Sequence, residues 1–349
     1  MKKKTKIFLV ISGLLLLCLV AGGVYLYSQI SPVDNGDEIR LEVAQGTSVR
    51  KIASDLKDAG LIKNDTLFYY FVRKPSFIKF LYPNEPVSEP VILKSGIYHI
   101  KKGLNYAQLV NILASGQQEY IKVSVPEGKT ISQTAQIMEE AGICSAAEFK
   151  TICYDKNFVS SFNIAGETAE GFLFPDTYFL TTGMSAKEVA QLMIETFFHK
   201  AAEVPGLLDK TPKELYDTVI LASIVEREYR VEEEAPLIAS VFTNRLKQNI
   251  GLYSCATIVY ILTEIEGRAH PERVLLEDTK IDSPYNTYKW AGLTPGPISN
   301  PGLIALNAAA NPPKTNYYFF QVSDSQAGKH VFTSTFDEHK ASHNLNAKK

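Results

Sequence analysis

Two glutamates two residues apart, Glu226 and Glu228, close a run that is otherwise apolar, residues 221–225 reading Leu-Ala-Ser-Ile-Val. A helix apolar on nearly every face is a buried one, and a carboxyl at its end is drawn out of water. Burial disfavours the ionised form, so such an acid stays protonated close to neutral pH, which is what a general acid needs. On a helical wheel Glu226 lies over Leu215, Val219 and Ala222, and Glu228 lies near Leu221 and Ile224. A helix-end pair held in surface salt bridges with Arg227 and Arg230 has the same spacing and no chemistry. Residue types alone leave both readings open.

Two further segments carry groups suited to a hydroxyl-rich ligand. Residues 170–178, Glu-Gly-Phe-Leu-Phe-Pro-Asp-Thr-Tyr, set aromatic rings around a Pro-Asp turn with acids at both ends. This reads as a core-plugging loop or as a platform for sugars. Residues 283–288, Ser-Pro-Tyr-Asn-Thr-Tyr, lead into a Gly- and Pro-rich stretch at 292–302, and long loops in compact domains usually serve function. Their side chains donate and accept hydrogen bonds while offering flat apolar faces. A proline-braced lid without a ligand is the plain alternative.

Other chemistries find little support. Neither Gly-x-Ser-x-Gly, His-Glu-x-x-His nor a phosphate loop occurs. The four cysteines, at 18, 144, 153 and 255, form no Cys-x-x-Cys pair, which removes zinc ribbons, ferredoxin-type clusters and thioredoxin-type chemistry. His330, His339 and His343 lack the carboxylate partners of a known metal spacing, so no metal is expected. Lys plus Arg number 36 against 38 Asp plus Glu, and this net charge of -2 provides no chain-wide basic field for a nucleic acid.

The elements that must position these groups follow from periodicity. Three segments, starting at Gly46, Gly103 and Gly128, share a register of capping residue, apolar stripe at i, i+3, i+4 and i+7, and closing glycine, each preceded by a short β-like run. Small α+β modules are expected. Residues 73–90, with four prolines, read as an irregular connection, and a boundary falls near residue 118. Beyond it the pattern predicts helices over 211–230 and 234–247, an irregular stretch over 283–313, a strand over 316–322 and a polar tail.

Residues 1–6 carry four lysines and residues 7–27 carry no charge, enough apolar chain to cross a bilayer as a helix. The lysines belong on the cytoplasmic side and the rest of the chain outside; a cleaved signal peptide is the alternative. Outside the cytoplasm, Cys144 and Cys153 are either a disulfide or two buried thiols.

The blocks at 170–178, 222–228, 241–246, 283–288, 292–302, 317–323 and 330–333 stand in the same order and spacing as in the MltG (YceG-like) family of endolytic murein transglycosylases, which the chain resembles from about residue 40 to about 345. The resemblance implies an α+β protein with a cytoplasmic stub and transmembrane anchor at 1–33, a small LysM-like module at 34–117 and a larger mixed α/β catalytic domain at 118–349. It implies a single-pass protein of the bacterial inner (cytoplasmic) membrane with its catalytic domain outside the cytoplasm. The activity implied is cleavage of the MurNAc-GlcNAc bond of peptidoglycan glycan strands with formation of a 1,6-anhydro ring, without cofactor. Family context adds cell-wall synthases as partners.

The motif's catalytic glutamate, the first acid after Ile-Val, maps onto Glu226, with Glu228 as the fallback. Glu170, Tyr178, Asn244, Ser254, Thr257, Tyr285, Asn286 and Tyr288 are the expected substrate-holding residues. Residues 254–257 read Ser-Cys-Ala-Thr, where the family more often has Asp-Pro between the Ser and the Thr. Ordinary glycosidases use two carboxylates, but with the sugar's own 6-hydroxyl as nucleophile one glutamate suffices. A hydrolytic muramidase, with Glu170 or Asp176 as second acid, and a noncatalytic peptidoglycan-binding envelope protein are the competing expectations.

Overall fold

A computed structural model describes residues 3–33, 36–44, 46–116, 120–181, 184–324 and 327–346, and the chain divides near Tyr120 into two compact units. The first begins with α1 (Lys3–Ile30), whose stretch Ile11–Ile30 is long and apolar enough to cross a bilayer, at about 30 Å of helix. Then come β1 (Glu38–Val43), α2 (Val49–Asp58), α3 (Asp65–Arg73), α4 (Pro75–Leu81), β2 (Gly96–Lys101) and α5 (Tyr106–Ser115). β1 and β2 pair antiparallel, with Leu41 opposite Tyr98, and bury Leu41, Val43, Tyr98 and Ile100 against Leu56, Phe68, Ile78 and Leu109. Ser48 caps α2 through Lys51 N, and Asn105 with Gln108 forms a capping box on α5. The expected irregular stretch at 73–90 instead contains α4. Pro75 sits where a helix tolerates proline, and Ile78 is fully buried.

The second unit holds β3 (Ile121–Ser124), α6 (Ile131–Glu140), α7 (Ala146–Cys153), α8 (Lys156–Ser160), β4 (Thr177–Leu180), α9 (Ala186–Ala201), α10 (Pro212–Glu226), α11 (Ala235–Lys247), α12 (Cys255–Tyr260), α13 (Leu303–Ala310), β5 (Phe319–Asp324), β6 (Lys329–Thr333) and α14 (Phe336–Asn346). β3 pairs antiparallel with β4, and β5 with β6. Through its core runs α10, opened by a capping box between Thr211 and Glu214 with Pro212 in the first turn. All of residues 218–225 are buried, so this helix is encased rather than amphipathic, and it packs on α11 and α13.

Two expectations need correction here. The stretch at 283–313 is irregular only up to Gly302, because Leu-Ile-Ala-Leu-Asn-Ala-Ala-Ala is a strong helix-forming run and becomes α13. The polar tail is β6 and α14, held by half-buried Val331 and Phe332 and by Phe336 and His339 against the Phe319 ring. Cys144 and Cys153 are free thiols, not a disulfide.

Candidate active site

Ser223, in the last turns of α10, ties that helix to the 292–302 loop. Its hydroxyl accepts from Ile298 N at 3.0 Å, and its carbonyl accepts from Ser299 Oγ at 3.0 Å. The loop's next residue, Asn300, is fully buried and acts as a hub. Its Oδ1 accepts from Gly171 N and Leu173 N at 2.9 Å, while its Nδ2 donates to Lys129 O at 2.8 Å and to Glu170 Oε1 at 3.1 Å. Loop, α10 and the 170–178 segment are thereby fixed as one body.

This clamp brings Gly302 N–H to Glu226 Oε2 at 3.0 Å, while Tyr229 OH donates to Oε1 at 3.3 Å. Burial pushes the Glu226 carboxyl up to about 7, with the Glu127 carboxylate adding to the shift and the Gly302, Tyr229 and Arg227 interactions opposing it. Glu127 reaches Glu226 from the 125–130 segment. It lies against Gly302, where a Cβ would meet its Oε1 at 1.7 Å.

Glu228 has a different setting. α10 ends at Glu226, and the turn through Arg227 carries Glu228 into a cleft of about 450 Å³ lined with Arg245, Tyr253, Cys255, Phe319, Phe320 and His330 among others. Ser254 Oγ donates to Glu228 Oε1. Ser254 is itself held by Thr287, whose Oγ1 accepts from Ser254 N at 3.1 Å and bonds Thr257 Oγ1 at 2.9 Å. Burial raises the Glu228 pKa, against the Ser254 bond, a backbone N–H at Ala256 and the charges of His330 and Arg227. The Arg245 guanidinium donates to Tyr318 O at 2.7 Å and lies 5.6 Å from the Phe319 ring and 5.7 Å from the Tyr253 ring. Such a wall combines aromatic faces with a fixed cation. His330 Nδ1 meets Glu234 Oε2 at 2.7 Å.

The expected substrate-holding residues divide into two groups. Ser254 supports Glu228, and Tyr288 bonds Cys255 Sγ at 3.0 Å, so both belong to the surroundings of the cleft. Tyr285 is half-buried with its ring 5.1 Å from Tyr260. The others spend their polar atoms inside the protein. Both oxygens of Glu170 accept from Ile131 N at 3.1 Å, at the first turn of α6. Tyr178 OH donates to Phe174 O at 2.6 Å. Asn244 Nδ2 donates to Thr315 O and Tyr317 O at 3.0 Å. Thr257 donates to Ser254 O at 2.8 Å, and Asn286 Nδ2 donates to Thr279 O at 3.0 Å and to Ile281 O at 2.7 Å. A glycan that took over these donors would displace bonds that hold the loops, at a cost of about 1–3 kcal/mol each.

Reading the residues alone missed Glu127, Tyr229, Arg245 and Asn300. Arg245 left a signal, an arginine one turn after Val241 and Phe242 on the apolar stripe of its helix; Glu127 left none. Among the described residues no group of three or more His, Cys, Asp and Glu side chains converges. The side chain of His343 lies outside the described residues.

The family model described as YceG-like matches residues 41–344. An endolytic murein transglycosylase of Bacillus subtilis is 31% identical over 92% of this chain and 89% of its own length. One from Streptococcus pneumoniae (strain D39) is 26% identical over 95% of this chain and 63% of its own length. The crystal structure of a YceG-like protein of Listeria monocytogenes, 28% identical, superposes with a TM-score of 0.57 over 87% of this chain and 99% of that one. With most of its length matched by the family model, this chain belongs to the YceG-like family.

Proposed function

We propose that this protein is an endolytic murein transglycosylase whose acid/base is Glu228, the carboxyl that opens on the cleft, in place of Glu226, the first acid of the motif. The observation that carries the reading is the cleft itself. It draws lining residues from the blocks at 222–228, 241–246, 317–323 and 330–333 onto one half-buried glutamate. The relatives that share most of this chain carry that activity in their names.

In this mechanism protonated Glu228 gives its proton to the glycosidic oxygen as the bond from muramic C1 to that oxygen breaks. The resulting carboxylate takes the proton from the muramic 6-hydroxyl as that oxygen bonds C1 and closes the 1,6-anhydro ring. The proton returns to the glutamate, no water is consumed, and no second carboxylate is required. Ser254 orients the acid; Tyr253, Phe319 and Arg245 offer faces and charge to the sugars, and Tyr288 stands at the cleft's side against Cys255 and Tyr253, while Tyr285 packs on Tyr260. Glu170, Tyr178, Asn244, Thr257 and Asn286 build the frame.

α1 is a single-pass anchor in the bacterial cytoplasmic membrane, and residues 34–117 form a LysM-like module, supported by a strand, three helices and an antiparallel partner strand in that order. Anchoring would keep the cleft beside newly made strands, which is the ground for expecting cell-wall synthases as partners. Mass spectrometry of muropeptides released from purified peptidoglycan by detergent-solubilised protein, with E228Q and E226Q in parallel, tests the proposal. Anhydro-muramyl ends that vanish with E228Q and persist with E226Q support it. Reducing ends would make the protein a hydrolase, and loss only in E226Q would return the role to that residue.

A further inference from the structure

The α3–α4 face of the first unit carries large apolar side chains that the fold leaves uncovered. Phe80 is 82% exposed, Tyr70 53% and Phe77 51%, although α4 buries Ile78 completely. Arg73, Lys74 and Lys79 lie in the same two helices and the link between them, Arg73 over the Tyr69 ring at 5.8 Å and Lys79 pairing with Glu89 at 2.9 Å. An exposed aromatic patch with a basic rim is the pattern of a surface that meets lipid headgroups.

What fixes the occupant is how α1 ends. Tyr25 and Tyr27, 67% and 73% exposed, lie within the last turn and a half of the helix, where aromatic side chains of a spanning helix mark the headgroup level. At that level the folded unit takes hold of the helix. Tyr82 OH donates to Ile30 O at 3.3 Å, Lys63 Nζ donates to Ser31 Oγ at 2.9 Å, and Ile30 is buried among the core residues of the unit. Tyr106 OH bridges toward the same turn, 3.5 Å from Gln29 O while bonding Asn64 O at 2.9 Å. Tyr82 is the residue that closes α4. The seven residues of α4 span about 10 Å of helix, so Phe77 and Phe80 lie close to the point where α1 leaves the bilayer.

We propose that the α3–α4 face, through Phe77, Phe80 and Tyr70 with Arg73, Lys74 and Lys79, seats on the outer surface of the membrane, its aromatics in the headgroup region and its cations among anionic headgroups. The first unit is then held at two points, α1 and α4, so it does not swing freely on a linker. The proposal rests on the anchor reading of α1 and goes beyond it, because a spanning helix alone leaves Phe80 in water.

The test places a fluorophore on the face in the full chain. Trp290 is the chain's one tryptophan. In a Trp290→Phe background, Phe80→Trp is a conservative change at an exposed site. The protein is reconstituted in vesicles of phosphatidylcholine and phosphatidylglycerol, with and without bromine on the upper acyl carbons. Expected is a blue-shifted emission from the introduced indole that bromolipid cuts by about half and aqueous iodide scarcely touches, as for an interfacial aromatic. Emission unaffected by bromolipid and quenched by iodide, in protein that floats with the vesicles, overturns the proposal and leaves the anchor standing. Protein that fails to float overturns both.

Discussion

Glu226 and Glu228 stand two residues apart, yet Glu226 accepts from the Gly302 backbone N–H and Glu228 accepts from the Ser254 hydroxyl at the cleft. The separation arises because α10 ends at Glu226, so Glu228 follows a turn rather than the helical spiral. Only one of the two settings includes the cleft lined by Arg245, Tyr253 and His330. E228Q should therefore lower turnover of uncrosslinked glycan by about 10³-fold, the worth of a general acid/base. E226Q, which keeps an acceptor for Gly302 N–H, should stay within about tenfold of wild type. Initial rates of anhydro-muropeptide release distinguish the two, and equal losses would contradict the assignment.

Ser254 supplies a test that a packing role cannot imitate. Its hydroxyl bond favours the ionised form of Glu228, and burial favours the protonated form. Because the acid must be protonated to act, kcat/KM should fall as pH rises, at a pH above the ordinary carboxylate range. S254A removes a bond to the charged form, so the Glu228 pKa rises and the alkaline limb moves to higher pH. His330 and Arg227 act in the same sense as Ser254, and H330Q should shift the limb in the same direction. A pH–rate profile of S254A that is lower everywhere but unshifted would show that Ser254 only packs.

Glu170 should govern stability rather than chemistry. It is 1% exposed, and burial pushes its carboxyl up to about 8 despite the bonds from Ile131 N and Asn300. A folded pKa above the unfolded value means the native state holds the proton more tightly. The contribution to stability is complete below about pH 4.5 and is lost as pH rises toward 8. Glu170→Gln stays neutral, and its Oε1 can accept from both Ile131 and Asn300, the two bonds that now share Glu170 Oε1. Urea midpoints should show E170Q gaining on wild type between pH 5 and 8, by on the order of 4 kcal/mol at the upper end. A pH-independent difference would refute the buried proton.

How much of this could be read beforehand differs by element. The three strand-turn-helix units were legible because a cap, a period of 3.6 and a glycine stop are local signals, and β1 with α2, β2 with α5, and β3 with α6 all appear where they predict. The encasement of α10 was legible, because a helix without a polar face must be covered, but whether its terminal acids are desolvated or paired on the surface was not. Choosing between Glu226 and Glu228 was not, since a wheel extrapolates a helix that stops at Glu226. Nor could Glu127 be found, because its place beside Gly302 depends on Asn300 pairing with Lys129 across the loop. That Glu170, Asn244 and Asn286 also bond inside the protein was not legible either, because it depends on which segments meet across the fold. Loops without secondary structure must satisfy their own backbone, and these side chains do that.

Gly171 shows how tightly the frame under the site is closed. Its φ of +87° is open to glycine and costly for other residues, and a Cβ there would stand 2.6 Å from Pro297 Cγ and 2.7 Å from Val219 Cγ1. Pro297 is a ring fixed in the loop and Val219 lies inside α10, so neither can swing aside. Gly206 has a similar φ of +72° with nothing within 4 Å of the added carbon, and it isolates the backbone cost. G206A should lose about 1 kcal/mol and G171A about 3 kcal/mol or more, the excess being overpacking between the loop and the helix. Since Gly171 N also donates to Asn300, the displaced loop should loosen the clamp at Ser223 and lower turnover even at temperatures where G171A remains folded. Urea denaturation followed by circular dichroism, with rates measured on the same samples, checks both halves; equal destabilisation by the two alanines would show that the loop yields where the packing says it cannot.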